Sequence, residues 1–392
     1  MPQDFITRTS TQELERRWSA VREAMAQQNV DAIVMQGHDD WLGGYVRWFT
    51  DVWAVNGYPR TVIFYPDRPM TVVEMGARDT VKSLQASDPV HRGVDRVLCS
   101  PSFFSVGYSP IEDAKLVCSD LQEKKVKRLG VLTPQSLRHS MVTQLQEHGV
   151  ELIDLTDTID VIKAVKSDEE IDQIKACCKL QDDVFSAVLR FIKPGLRDIE
   201  VTNFAQAEAH RLGSDNGLFL CSSAKLGSPA RFKSRQMQGK VIEAGEHFSM
   251  LIEVNGPGSM YAEVARTIVI GEATQKLKDE FAMMKEAQSH TLSYIKPGAH
   301  PKDIAEAHDQ WMQSHGLPPE RRLYAHGQGY DLVERPLIRA DETMPLAANM
   351  NLAVHPGYDD GTVFAVICDN YLVTETGVSD CLHTTPKQIF EI

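Results

Sequence analysis

The sequence predicts an α/β (α+β) chain in two parts, an N-terminal α/β domain over residues 1–157 and a second domain over 158–392 made of two pseudo-equivalent halves. Three observations point there. At 392 residues the chain is too long for one small core. Helical and β-branched segments alternate up to about residue 157, as in a sheet covered by helices. Beyond that, Lys193-Pro194-Gly195 recurs 103 residues later as Lys296-Pro297-Gly298, and Gly213 in HRLGSD recurs at the same offset as Gly316 in QSHGLP. A helix precedes each turn, another follows it, and β-rich segments come next. Such halves bury a shared sheet with a site between them.

Taken in order, STQELERRWSAVREAMAQQNV has apolar residues at helical spacing and acidic residues in its first turns, predicting the first helix. The runs DAIVMQG, TVIFYP, TVVEMG, RLGVLT and ELIDLT read as strands. The span DDWLGGYVRWFTDVWAVNGYPR gathers Trp41, Tyr45, Trp48, Trp53 and Tyr58, most of them expected in the core. Ser167 with Glu170 three residues on forms a capping box that opens a new helix. Further on, HFSMLIEV and YAEVARTIVI are strand patterns joined by the turn signal NGPGS.

Composition narrows the function classes. Apolar residues at 42% and charged residues at 24% are ordinary for a soluble globular protein. No apolar run reaches membrane-spanning length and MPQDFITRTSTQELERR has no signal-peptide core, so a cytoplasmic protein without a membrane partner is expected. With a net charge of −13 and no long Lys/Arg block, nucleic-acid binding is not expected. The seven cysteines are odd in number and lack paired ligand spacing, which predicts reduced thiols.

The predicted hairpin raises a chemical question. If pairing is centred near Gly258, Glu253 and Glu263 become cross-strand neighbours on one face, with Cβ atoms about 4.5–5.5 Å apart. Two bare negative charges at that distance repel each other. A metal ion, a shared proton or a cationic group such as Arg231 would relieve the repulsion, whereas a slipped register would send one glutamate to solvent.

The segments IKAVKSDEEIDQIKAC, both KPG turns, EVART, YAHGQGYDLVERP, LAANMNLAVHPGY and DNYLVTETG together resemble the creatinase, prolidase and aminopeptidase P family. The resemblance spans nearly the whole chain and implies a creatinase-like N-terminal domain followed by a pita-bread catalytic domain. Metallopeptidases of that family hold two ions with five residues, and the matching places carry Glu253, Glu263, His326, His355 and Cys368. The family's second histidine, seven residues after the first, is Val333 here. Creatinase works without metal, through a histidine whose place is taken by Arg231 and a hairpin glutamate whose place is taken by Ala265.

From this the resemblance implies a hydrolase that cleaves a C–N bond of a small carboxylated or cyclic molecule, with Glu253, Glu263, His326 and His355 as catalytic acid-base residues. The alternatives are an Xaa-Pro-type metallopeptidase with one metal ion, a lyase on the same scaffold, or a noncatalytic binding protein. No cofactor is favoured; the alternative is at most one Zn, Fe or Mn ion held through Glu263, His326, His355 and Cys368. Arg231, Tyr58, Arg60, Arg335 and Tyr358 are the expected substrate-binding residues. Tyr58 sits roughly where the first-domain loop of creatinase-like dimers reaches the partner's pocket, so a homodimer is expected.

Overall fold

A computed structural model of the chain describes residues 9–37, 44–52, 58–85, 88–103 and 105–392. Two compact units divide it, Met1–Lys163 and Ala164–Ile392. The boundary expected after residue 157 would cut the helix α5 (Thr156–Ala164), which continues to the end of the first unit. Among the described residues no helix is long and apolar enough to cross a membrane.

In the first unit, α1 (Thr11–Gln28) starts where the Ser10 side chain accepts a hydrogen bond from the Glu13 amide. It is followed by β1 (Ala32–Gly37), α2 (Gly44–Thr50), β2 (Arg60–Phe64), β3 (Met70–Met75), β4 (Val81–Ser83) and β5 (Val94–Ser100). Then come α3 (Ile111–Glu123), β6 (Arg128–Val131), α4 (His139–His148) and β7 (Glu151–Asp154). The seven strands form one mixed sheet in the order β4-β5-β3-β2-β1-β6-β7. Val34, Ile63, Val73 and Leu129 pack with Val117 and Leu121 of α3 and Leu145 of α4 into the core of this unit. All five strand runs read from the sequence form; the polar, short β4 and the charge-interrupted β5 escaped notice because neither alternates cleanly. Trp48 is buried, with the Arg17 guanidinium 5.3 Å from its ring, while Trp41 and Trp53 lie outside the described residues.

The second unit is built twice over. Its first half runs α6 (Asp168–Phe191), α7 (Asp198–Arg211), β8 (Gly217–Lys225), β9 (Glu246–Asn255) and β10 (Tyr261–Val269). The other half runs α8 (Gln275–Ser293), α9 (Pro301–Ser314), β11 (Ala325–Gly327), β12 (Glu334–Leu337) and β13 (Asn351–Val354), then β14 (Gly357–Asp359), β15 (Phe364–Val366), β16 (Asp369–Leu372) and β17 (Phe390–Glu391). The Ser167–Glu170 capping box is present at the start of α6. The repeated Lys-Pro-Gly turns join α6 to α7 and α8 to α9, and both end on a left-handed glycine, Gly195 at φ 92° and Gly298 at φ 79°. A side chain there would be strained, which is why the same tripeptide closes both helix pairs.

Two four-stranded sheets result, β17-β10-β9-β8 and β12-β11-β13-β16. Paired main-chain hydrogen bonds between Ala265 and Cys368, at 3.3 and 3.4 Å, join β10 to the segment entering β16. On one side of the first sheet Phe248, Met250, Ile252 and Val254 pack against Val184, Phe185 and Val188 of α6. The opposite face is enclosed as well, since every residue of β9 and β10 is buried. Asp182 of α6 ties down the C-terminal segment by accepting hydrogen bonds from the amides and hydroxyls of Thr384 and Thr385.

Candidate active site

The antiparallel register sets Glu253 of β9 directly opposite Glu263 of β10. Alternation then turns Ile252 and Val254 into the α6 core and both carboxyls away from it. Glu263 is fixed from the second half, since its amide donates to Asn370 Oδ1 at 2.7 Å. Across from it, β11 carries His326, paired with Ala353 of β13, and His355 follows the end of β13 with its amide donating to the Tyr324 carbonyl at 2.7 Å. The carboxyls therefore belong to one half and the imidazoles to the other, and the Ala265–Cys368 link brings them together.

Three side chains form a compact group. One ligand atom each from Glu263, His326 and His355 lies within 4.8 Å of the others. His326 Nε2 stands 3.8 Å from Glu263 Oε2, and the two imidazoles meet edge to face with centroids 5.1 Å apart. His326 Nδ1 donates to the Gly327 carbonyl at 2.9 Å, which places the proton on Nδ1 and leaves Nε2 as a free lone pair. Two imidazoles and one carboxylate with converging donor atoms fit a single divalent ion of the Zn, Fe or Mn kind.

Electrostatics sort these groups by role. Burial pushes His326 down to about 4. His355 is also held well below its ordinary value, by burial first and then by His326 and Arg322. Both imidazoles are therefore neutral at pH 7 and competent as ligands. Burial raises Glu263 to about 7. Glu253 is raised well above the carboxylate range, first by burial and then by the charge of Glu263. Both shifts favour a proton within the pair, more strongly at Glu253. Glu253 Oε1 accepts from Gln328 Nε2 at 3.0 Å, which leaves Oε2 as the oxygen available to carry a proton.

Cys368, expected as a fourth metal ligand, does not join the group. Its thiol donates to the Glu263 main-chain oxygen at 3.5 Å, and burial with the Glu263 charge keeps it protonated. All seven cysteines are free, in line with their spacing. The expected substrate-binding residues scatter. Arg231 pairs with Asp359 at 2.5 and 3.0 Å and lines a cavity together with Tyr358. Arg335 is engaged by Glu342 and Thr343. In the first unit Arg60 pairs with Glu74 at 2.9 Å and the Tyr58 ring lies 6.0 Å from that of Phe103.

Several residues of the site were not singled out from the sequence. Gln328 links Glu253 to Asn370, whose Nδ2 donates to Gln328 Oε1 at 2.9 Å and to Asn351 Oδ1 at 3.3 Å. Arg322 Nη2 reaches the His355 carbonyl at 3.4 Å. Gln328 follows the end of β11, and no local pattern announces it, Asn370 or Arg322.

Comparison with known proteins gives consistent results. The profile of metallopeptidase family M24 matches residues 172–375. A Bacillus subtilis (strain 168) sequence named as an uncharacterized peptidase, YqhT, is 26% identical over 244 residues, covering 61% of this chain and 67% of its own. The Xaa-Pro dipeptidase of Pyrococcus furiosus is 25% identical over 262 residues, 65% of this chain and 73% of that one. Among solved structures, the X-Pro aminopeptidase from Thermotoga maritima MSB8 superposes with a TM-score of 0.79 at 17% identity, covering 96% of this chain and 99% of that one. That last likeness is one of fold.

Proposed function

Because the chain belongs to metallopeptidase family M24, we propose that it is a single-metal hydrolase of C–N amide bonds in short peptides of the Xaa-Pro kind, with Glu263, His326 and His355 as the metal ligands. The observation that carries this reading is the converging trio of donor atoms within 4.8 Å. It displaces the preference for a metal-free, creatinase-like site. The similarity to Xaa-Pro dipeptidases supports the substrate class. A divalent ion at those side chains would supply Lewis-acid polarisation of the scissile carbonyl and acidify a water.

The chain's own residues do the rest. Glu253 holds a proton at Oε2, and from there it can pass to the departing amine as a general acid. Gln328 fixes that carboxyl by donating to the other oxygen. His326 and His355 stay neutral and keep their lone pairs for binding. Only one ion is expected, because Cys368, in one of the five family ligand places, keeps its proton and stays outside the converging group.

The test is metal stoichiometry joined to turnover. Protein freed of metal by chelation is titrated with Zn²⁺, Mn²⁺ or Fe²⁺ while hydrolysis of an Xaa-Pro dipeptide panel is followed. One equivalent restoring peptide hydrolysis is the expected outcome. Two equivalents, or activity that survives chelation, would refute the single-metal reading, and turnover of cyclic or guanidino C–N substrates alone would favour the creatinase-like one. A homodimer belongs to the same proposal, supported by the family resemblance. Light scattering at micromolar concentration should give twice the 43.9 kDa chain mass; a monomeric mass would refute it.

A further inference from the structure

A cavity of about 460 Å³ in the second unit is walled by Phe232, Tyr358 and Phe364 and rimmed by Arg231, Arg321 and Arg322. Two of its lining residues touch the surroundings of the ligand group. Arg322 Nη2 lies 3.4 Å from the carbonyl of His355, and Phe232 packs against Leu251, Ala265 and Cys368. Its size is that of a small-molecule site.

The charges of the lining do not cancel. Asp359 is occupied by Arg231, at 2.5 and 3.0 Å. Glu320 engages Arg322 through Nε at 3.1 Å and Nη2 at 2.9 Å, which leaves Nη1 as an unused donor. Arg321 has no hydrogen bond or ion pair among the described residues. Arg321, without a protein partner among the described residues, and Arg322, with a spare donor, thus line the same space. Gly357 keeps that space open, since a Cβ there would meet Arg322 Nη2 at 2.6 Å. Aromatic rings share the lining, with Phe232 and Phe364 edge to face at 5.1 Å.

Guanidinium forks match the two oxygens of a carboxylate, and aromatic walls favour a flat apolar body. We propose that this cavity binds a carboxylate carried on an aromatic or flat apolar group, with Arg321 and Arg322 as the residues that select its charge. Identifying that group as part of the substrate rests on the hydrolase reading above; the binding does not require turnover. The cavity then favours amides that bear such an anionic, flat-bodied group next to the bond being cut.

Calorimetric titration of the full chain, with and without added metal, separates the two ideas. Phenylacetate, phenylacetamide and inorganic phosphate are the probes. Phenylacetate should bind one per chain, with phenylacetamide weaker by about tenfold for want of the charge. Arg321→Ala, which loses no protein hydrogen bond or ion pair among the described residues, should weaken phenylacetate about fivefold. Arg322→Lys should do the same, because an ammonium cannot present a fork. Equal affinity for the acid and its amide would overturn the role of charge. Phosphate binding as tightly as phenylacetate would overturn the role of the aromatic wall, and unchanged affinity in both variants would overturn the location. If peptide hydrolysis fails while phenylacetate binds as described, the hydrolase reading falls and the cavity assignment stands; the reverse result has the reverse meaning.

Discussion

Glu253 and Glu263 show how one residue type acquires two roles from its surroundings. Both are buried, but only Glu263 converges on the imidazoles, while Glu253 is bound by an amide and keeps its proton. Glu263→Gln should lower turnover at least about 100-fold and reduce metal uptake, measured by kcat and elemental analysis. The sign of the pH effect follows from its raised value of about 7. Below that pH the carboxyl is protonated in the metal-free protein, and a ligand must lose its proton to bind an ion. Metal affinity in a competition titration should therefore fall as pH drops through about 7, with proton release on loading, and a flat profile would contradict the assignment. Gln328→Leu removes the amide that favours the charged form of Glu253. The Glu253 carboxyl then loses its orientation and is held still more firmly in the acid form. We expect kcat to drop roughly tenfold and the basic limb of the pH–rate profile to move upward. A drop with an unmoved profile would mean that Gln328 only supports packing.

At the scale of elements, the hairpin of β9 and β10 and the helix pair of α8 and α9 carry different loads. The hairpin register places the carboxyls, and a one-residue slip would turn both toward α6, so the apolar face of Ile252 and Val254 guards the chemistry as well as the core. In α9, His308 is fully buried, with its ring 3.9 Å from that of Tyr324 and Nδ1 3.0 Å from the Thr291 hydroxyl. Burial, with lesser contributions from neighbouring charges, brings it down to about 4. Its folded value lies below the 6.5 of a free imidazole, so the unfolded chain takes up the proton first. The stabilisation is present above pH 6.5 and is lost as pH falls toward about 4, worth roughly 2–3 kcal/mol over that window. Urea unfolding of the parent and of His308→Gln across this range should show a shallower acid loss in the variant. Parallel pH profiles would contradict it.

For the molecule as a whole, each unit has its own buried core, around Val34, Ile63 and Leu129 in the first and around the two sheets in the second. Scanning calorimetry should accordingly resolve two unfolding transitions. A divalent ion at 100 times its dissociation constant should stabilise only the unit that contains Glu263, His326 and His355, by about 2.7 kcal/mol. A shift of both transitions, or one transition alone, would overturn the prediction.

Much of this was legible because it is local. Strand alternation with the NGPGS turn sets Glu253 against Glu263 within ten residues of chain, and the duplicated KPG turns mark two halves because only glycine ends such helices without strain. The family resemblance brought His326 and His355 into the candidate set. What only the tertiary structure decided are the groupings between distant segments. The Ala265–Cys368 link carries the carboxyls of one half to the imidazoles of the other and leaves the Cys368 thiol, a donor to the Glu263 main-chain oxygen, outside the converging trio. Gln328, Asn370 and the Arg321–Arg322 pair have no pattern of their own, since an amide or a guanidinium is polar in any sequence; burial and partners, set by the packing of both halves, determine which of them bear on the chemistry.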